Sequence, residues 1–190
     1  GDRGGVVRHT GDEHPRRDSS MESLARLKPL FEGGVVTAGN ASGVNDGAAA
    51  LVVASRAWGE KHGRKPMARI RSAASAGVEP RIMGVGPAYA IPRALERARL
   101  SLKDMDVIEI NEAFASQVLG CLKLMQVDFA DPRVNPNGGA IAIGHPLGCS
   151  GARLALTVAR ELLASGARYG AVSLCIGVGQ GLAVILERVQ

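Results

Sequence analysis

Aromatic side chains are scarce in this chain, which has three Phe, two Tyr and one Trp among 190 residues. Modules that bind single-stranded nucleic acid or RNA stack bases on aromatic platforms, so this scarcity argues against that class. The net charge of +5 does not change the argument, because 23 Lys and Arg are dispersed among 18 Asp and Glu. A solvated basic face and a surface for a phosphate-bearing small ligand both fit this charge. We predict no nucleic-acid partner.

Long apolar runs and paired cysteines are also lacking. No apolar run approaches the ~18 residues that span a bilayer, so we predict no membrane partner. The three cysteines, Cys121, Cys149 and Cys175, are far apart and form no C-x-x-C pair, which excludes a zinc ribbon and a disulfide framework. We predict no metal site and no permanently bound cofactor. Because the chain opens without a signal-peptide pattern, we expect reduced thiols and a cytoplasmic location.

The 46% of apolar side chains are enough for one domain with a sizeable core. Their pattern predicts a short amphipathic helix after Ser20 that ends at Gly33 and Gly34. It then alternates between strand and helix character, which predicts an α/β fold with one mixed, five-stranded sheet covered by helices. The predicted strands are residues 48–54, 67–76, 107–110, 171–175 and 182–186, and the predicted helices are 55–62, 87–99, 112–124 and 147–164.

Glycine is abundant, at 25 residues, and Gly-rich or polar clusters fall at the junctions of these elements, where α/β folds place ligands. Residues 39–47 (GNASGVNDG) lack the Gly-Lys-Ser/Thr ending of a phosphate loop, so a structural turn is favoured there. Asn111 follows the strand 107–110. Its side chain could cap the helix that follows, or its amide could hold a substrate or a water at the end of the sheet. The local sequence favours the helix cap.

Two further clusters contain titratable side chains. His145 lies between Gly144 and Pro146 at a helix entrance, which makes a functional and a surface role about equally plausible. Cys175 opens the segment CIGVGQG at residues 175–181. That segment is not a dinucleotide fingerprint, because a strand follows it. It predicts a thiol at a strand end beside glycine amides that could approach a ligand.

Taken together, NEAFA at 111–115, NPNGGAIAIGHPLGCSG at 135–151 and CIGVGQG at 175–181 resemble the signatures of the thiolase family in their order and separation. The resemblance continues upstream through VTAGNASGVNDG at 36–47 and DEHPR at 12–16. Within the family, the chain is most similar to degradative acetyl-CoA acyltransferases, including the β-ketoadipyl-CoA type. Nearly the whole chain resembles the C-terminal half of such a protein.

The resemblance implies a thiolase-like αβαβα half. We expect residues 1–35 to be the end of a loop domain or linker and residues 36–190 to be the C-terminal domain. It also implies acyl-CoA and CoA as substrates, with coenzyme A as co-substrate, and a homodimer or homotetramer in the full protein. Nothing in the chain matches the family's acyl-accepting cysteine, so that nucleophile would belong to a missing N-terminal half. We therefore expect the isolated chain to be inactive.

The resemblance also assigns roles to individual residues. His145 and, through a water, Asn111 would form an oxyanion hole, and His145 would help to activate the nucleophile. Cys175 would be the acid/base thiol, and the amide of Gly177 would contribute to a second oxyanion hole. Ser72 resembles a position that hydrogen-bonds the pantetheine arm of CoA. Two alternatives stay open: a non-catalytic dimerisation or acyl-CoA-binding module, and Cys149 at a helix N-terminus as a substitute nucleophile.

Overall fold

The structure, a computed structural model, describes Arg8 and residues 10–189. Two short helices come first, and then helices and strands alternate. The helices are α1 (Met21–Ala25), α2 (Arg56–Lys61), α3 (Gly86–Ala98), α4 (Ala115–Met125), α5 (Ala140–Ile143) and α6 (Leu147–Ser165). The strands are β1 (Ala68–Gly77), β2 (Val107–Ile110), β3 (Tyr169–Ile176) and β4 (Gln180–Arg188). Two 3₁₀ turns, Pro80–Val85 and Leu102–Asp104, join them.

The sheet has the strand order β1-β4-β3-β2. β2 and β3 are parallel, whereas β4 is antiparallel to both β3 and β1. The predicted mixed α/β sheet and its closing hairpin are therefore confirmed. The predicted count of five strands is wrong, because the sheet that the structure describes has four.

The strand predicted at 48–54 is the one that does not form. This segment has no secondary structure, and Val52 is 89% exposed. A strand is stabilised by its neighbours, and no described strand pairs with this segment. The predicted helix 55–62 that follows it is confirmed as α2, with Ser55 accepting a hydrogen bond from the backbone N–H of Trp58 at 3.2 Å.

The first predicted helix is shorter than expected. Ser20 and Ser23 form a capping box at the start of α1, but the helix ends at Ala25 and not at Gly33 and Gly34. Beyond it, the side chains of Leu27, Leu30 and Phe31 are exposed. Amphipathic spacing yields a stable helix only when its apolar face is buried, and the described structure offers these side chains no core.

Helices cover both faces of the sheet. On one face, α3 and α4 pack over alternate residues of the strands, including Ile108, Ile110 and Ile185. On the other face, α6 packs over Val107, Val172 and Leu186. The alternation along β2 follows from the two-residue period of a strand. No helix in the described residues is long and apolar enough to cross a membrane.

Candidate active site

Asn111 and Cys175 leave the same edge of the sheet. Asn111 directly follows β2, and Cys175 is the penultimate residue of β3. The two strands are parallel, with Ile110 opposite Ser173, and the N–H of Asn111 donates to the carbonyl of Ser173 at 2.9 Å. Because the carboxyl ends of parallel strands meet at one edge, both residues lie at the edge of the sheet where α/β folds place ligands.

His145 is brought to Asn111 by the loop before α6. Its ring Nε2 lies 3.2 Å from Asn111 Nδ2, and its ring Nδ1 lies 2.6 Å from Ser150 Oγ. The preceding Gly144 has a φ of +94°, and a Cβ there would collide with the side chain of Asn45. A glycine is therefore required at 144 for the loop to turn and present the ring.

The interpretation of Asn111 as a helix cap is wrong. α4 begins at Ala115, three residues later than predicted, and its N-cap is Phe114 with no side-chain hydrogen bond. The delay has a physical cause: two hydrogen bonds tie this segment to residues 40–42, because Ala115 N donates to Asn40 O at 2.8 Å and Ser42 N to Ala113 O at 3.0 Å, and Phe114 is extended. Asn111 is 1% exposed, and its Oδ1 is buried without a hydrogen-bond partner in the described structure.

Cys175 is half-buried, and burial raises the pKa of its thiol. The group is therefore a neutral thiol at neutral pH that holds its proton. The turn after it places Val178 at a φ of +71° and Gly179 at +101°. Gly177 lies in this turn, with open space where a Cβ would be. Its predicted oxyanion role stays a prediction.

The pKa of His145 is lowered, first by burial of the ring and second by the positive charge of Arg153. The neutral imidazole is therefore favoured. One ring nitrogen then carries a proton and the other a lone pair, so the ring can donate on one side and accept on the other.

Residues 39–47, for which the sequence favours a structural turn, form one wall of this site. The N–H of His145 donates to the carbonyl of Gly43 at 3.0 Å, and the hydroxyl of Ser42 donates to Ala113 O at 3.2 Å. His14 joins them from the N-terminal segment, with Nε2 3.2 Å from Ile141 O and Nδ1 3.4 Å from Asn45 Nδ2. Sequence reasoning missed these contacts because they join residues at least thirty positions apart in the chain; only the upstream motifs of the resemblance pointed to them.

Glu112 is a second residue that sequence reasoning missed. Its carboxylate accepts hydrogen bonds from Asn135 Nδ2 at 3.1 Å and from the N–H of Ile141 at 3.1 Å. A Cβ at Gly139 would collide with this carboxylate. Glu112 therefore holds residues 135–144, which include α5, against the end of β2. In the sequence, only its position next to Asn111 pointed to it.

Ser72 is not brought together with the other three predicted side chains. It lies within β1, and its hydroxyl donates to the carbonyl of Ala94 in α3 at 2.6 Å. The neighbouring Arg69 and Arg71 both bind Glu187. The predicted contact of Ser72 with CoA stays a prediction. Cys149 lies in the first turn of α6, where it is buried.

Two family models match the chain. The model for the C-terminal domain of thiolase matches residues 64–188, and the model for the N-terminal domain of thiolase matches residues 2–57. The β-ketoadipyl-CoA thiolase of Pseudomonas aeruginosa is 60% identical over 185 residues, which are 97% of this chain and 46% of that protein. The 3-oxoadipyl-CoA/3-oxo-5,6-dehydrosuberyl-CoA thiolase of Escherichia coli is 57% identical over 98% of this chain and 47% of that protein.

Two solved structures that resemble this chain are also thiolases or acetyltransferases. The Bacillus anthracis acetyl-CoA acetyltransferase superposes with a TM-score of 0.93 at 47% identity, covering 100% of this chain and 48% of that one. Human mitochondrial 3-ketoacyl-CoA thiolase in complex with CoA superposes with a TM-score of 0.87 at 46% identity, covering 94% of this chain and 45% of that one. The chain thus spans about half the length of the relatives that it matches. With matching family models, relatives and structures, this chain belongs to the thiolase family.

Proposed function

We propose that this chain is the C-terminal half of a thiolase that transfers acyl groups to coenzyme A. The reaction is thiolytic cleavage of a 3-ketoacyl-CoA, or the reverse Claisen condensation of acetyl-CoA. One observation carries the proposal: Asn111 Nδ2 lies 3.2 Å from His145 Nε2 at the sheet edge where β3 delivers Cys175. This supports a site in which a donor, a titratable ring and a thiol act together, as carbanion chemistry on a thioester requires.

In the cleavage direction, a cysteine of the other half attacks the 3-keto carbon and the bond to the acetyl-CoA carbon breaks. The leaving enolate takes the proton of the Cys175 thiol and departs as acetyl-CoA. The incoming CoA thiol returns a proton to the Cys175 thiolate and attacks the acyl-cysteine, which releases the shortened acyl-CoA. The raised pKa of Cys175 favours the first of these proton transfers, because the resting group is the neutral thiol.

Asn111 and His145 would stabilise the thioester oxygen as negative charge develops. Oxyanion stabilisation requires fixed donors in a site with little water. Asn111 is buried and bonded through its own backbone to β3, and His145 is held by Gly43 on one side and Ser150 on the other. The amide of Gly177, in the turn beside Cys175, would serve the second oxyanion hole.

The acyl-accepting cysteine would come from a missing N-terminal half. Residues 48–54, the unpaired apolar segment, support this arrangement, because Leu51, Val52 and Val53 are exposed. We infer that this segment pairs as a strand with the other half, within the range that the N-terminal domain model matches. The full protein would be a cytoplasmic homodimer or homotetramer.

The names of the relatives support one substrate class. Proteins named β-ketoadipyl-CoA thiolase are 60% and 57% identical to this chain. We therefore propose a 3-ketoacyl-CoA of the 3-oxoadipyl-CoA type and a degradative direction.

The test joins this chain to the N-terminal half of the Pseudomonas aeruginosa relative, in one polypeptide, and measures thiolysis of 3-oxoadipyl-CoA. We expect activity in the joined protein, a loss of at least about 1,000-fold on Cys175→Ala, and little change on Cys121→Ala, the matched control. The 190-residue chain alone should turn over nothing.

Two outcomes would overturn the proposal. Thiolysis by the chain alone would mean that the nucleophile is not in another half, and Cys149 would then be the candidate. Unchanged activity on Cys175→Ala would instead favour the non-catalytic alternative, a thiolase-like dimerisation or acyl-CoA-binding module.

A further inference from the structure

Ser150 is a buried polar residue that holds His145 but takes part in no proton transfer of the proposed reaction. It lies in the first turn of α6, is 0% exposed, and has two partners. Its Oγ lies 2.6 Å from His145 Nδ1 and 3.0 Å from the carbonyl oxygen of Pro146. A hydroxyl has one proton, so it can donate to only one of these two atoms.

The carbonyl of Pro146 can only accept, and this settles the direction of the other bonds. When the Ser150 hydroxyl donates to it, the lone pairs of Oγ face Nδ1, and the proton between them must belong to the ring. Nδ1–H then donates to Ser150, and Nε2 keeps its lone pair. That lone pair faces Asn111 Nδ2 at 3.2 Å, which donates to it. Every hydrogen bond from Asn111 to Pro146 then has a donor and an acceptor.

The opposite arrangement satisfies fewer groups. If Ser150 donates to Nδ1, the ring proton moves to Nε2 and the Asn111 amide must turn so that Oδ1 accepts it. The Pro146 carbonyl then loses its contact with the hydroxyl. Its remaining donors are the N–H groups of Cys149 and Ser150, each at 2.9 Å. The first arrangement also gives the Nδ1–H of an imidazolium its acceptor, because Ser150 Oγ already accepts from Nδ1 there.

We propose that Ser150 is a positioning residue that fixes the proton of neutral His145 on Nδ1 and leaves Nε2 as a base directed into the site. This deepens the proposed function, because an unprotonated Nε2 can accept the thiol proton of the nucleophile in the other half in place of the N–H of Asn111. The proton moves from that thiol to Nε2, the ring becomes an imidazolium, and its Nε2–H becomes a donor for the thioester oxygen. Ser150 accepts from Nδ1 throughout, so it does not need to rotate.

The test reads the ring directly and requires no enzyme activity. The 190-residue chain is labelled with ¹⁵N in its four histidines, and the His145 signal is assigned by its loss in His145→Gln. We expect the ¹⁵N shifts of neutral His145 to show a protonated Nδ1 and an unprotonated Nε2. Ser150→Ala should convert this single tautomer into a mixture and lower the pKa of His145 further, since the imidazolium loses an acceptor. Ser150→Thr should restore both.

The matched control is Thr157→Val. Thr157 lies on the same helix, and its hydroxyl makes the same contact with the carbonyl four residues earlier, Arg153 O at 3.0 Å, but has no hydrogen bond to a histidine among the described residues. We expect it to leave the His145 shifts unchanged. A proton on Nε2 in the unsubstituted chain would overturn the proposal, and so would an unchanged tautomer in Ser150→Ala. The unsubstituted measurement decides even if Ser150→Ala does not fold, and it decides independently of thiolysis.

Discussion

Asn135 is bonded twice to Ile110, the last residue of β2. Its Oδ1 accepts from the N–H of Ile110 at 2.8 Å, and its Nδ2 donates to the Ile110 carbonyl at 2.9 Å. Asn135 also has a φ of +44°, a conformation that asparagine tolerates better than most residues. The side chain thus continues the sheet where a second neighbour of β2 would lie, immediately before Asn111.

The first prediction concerns this pair. Asn135→Ala removes both hydrogen bonds and leaves two buried backbone groups of Ile110 unpaired, so we expect a loss of about 3 kcal/mol in the free energy of unfolding. Urea denaturation followed by circular dichroism measures it. Asn137→Ala is the control, because Asn137 is exposed and its Nδ2 donates to the side chain of Glu161, at 2.8 Å, and not to the backbone of a strand. Equal losses in the two variants would contradict the proposed importance of the Asn135 contact.

The elements with a strong local pattern could be predicted from the sequence. β2 has the predicted bounds, 107–110, and α6 differs from its prediction by one residue, because a short apolar run and a long amphipathic pattern each carry their own signal. The hairpin of β3 and β4 was also predictable, since Gly179 supplies the left-handed turn between two apolar runs. Residues 48–54 carry the same signal as a strand, yet form none without a partner.

The candidate site was predictable only in part. Motif resemblance named Asn111, His145 and Cys175, and the parallel pairing of β2 and β3 explains why the first and last share a sheet edge. Local reasoning preferred a cap for Asn111, because an Asn before a helix usually is one. The backbone hydrogen bonds of Asn40 and Ser42 with Ala115 and Ala113 shift the start of α4 to Ala115, so the Asn111 side chain does not cap the helix. These partners lie about seventy residues upstream, and no local sequence pattern contains that information.

The second prediction concerns acid stability. Hydrogen bonds from Arg69 and Arg168, and the charge of Arg71, lower the pKa of Glu187 from 4.5 to about 2. The unfolded chain therefore binds this proton more tightly, so the stabilisation is present above pH 4.5 and is lost as the pH falls toward 2. The shift corresponds to about 3 kcal/mol, which solvent around the arginines reduces to about 2 kcal/mol.

We expect Glu187→Gln to lose this amount at pH 7 and to show a weaker dependence on pH between 4.5 and 2, measured by urea denaturation at each pH. Glu60→Gln is the control. Glu60 pairs with Arg56 one helical turn away, but both side chains are more than half exposed, so the pair contributes little. A Glu60→Gln loss as large as that of Glu187→Gln would show that burial of the carboxylate is not the cause.

The third prediction concerns a carboxyl group whose effect on stability changes with pH in the opposite direction. Glu109 is 1% exposed, and burial raises its pKa from 4.5 to about 7, against the smaller effect of Arg153, whose guanidinium is 3.9 Å away. The folded chain therefore holds this proton more tightly than the unfolded chain. Stability should fall as the pH rises from 4.5 to 7, by an amount on the order of 3 kcal/mol, and change no further above it.

Glu109→Gln should remove that fall, because an amide does not titrate. The measurement is the free energy of unfolding at pH 5 and pH 8, in the unsubstituted chain and in the variant. Glu187→Gln serves as the control here, since its effect lies below pH 4.5. A fall of the same size in Glu109→Gln would assign the titration to another group.

The fourth prediction ranks the three thiols. Cys175 is half-buried, whereas Cys121 is 0% exposed and burial raises its pKa to about 11. Alkylation requires an accessible thiolate, so iodoacetamide should modify Cys175 at least about tenfold faster than Cys121 in the native chain. Peptide mass spectrometry over time measures both rates. In urea the difference should disappear, because both thiols are then exposed. Similar native rates for Cys175 and Cys121 would contradict the difference in burial between them. A haloacetyl-CoA provides a separate test of Cys149. If this reagent modifies the buried Cys149 in preference to the other two thiols, Cys149 becomes a candidate nucleophile in place of a cysteine from the other half.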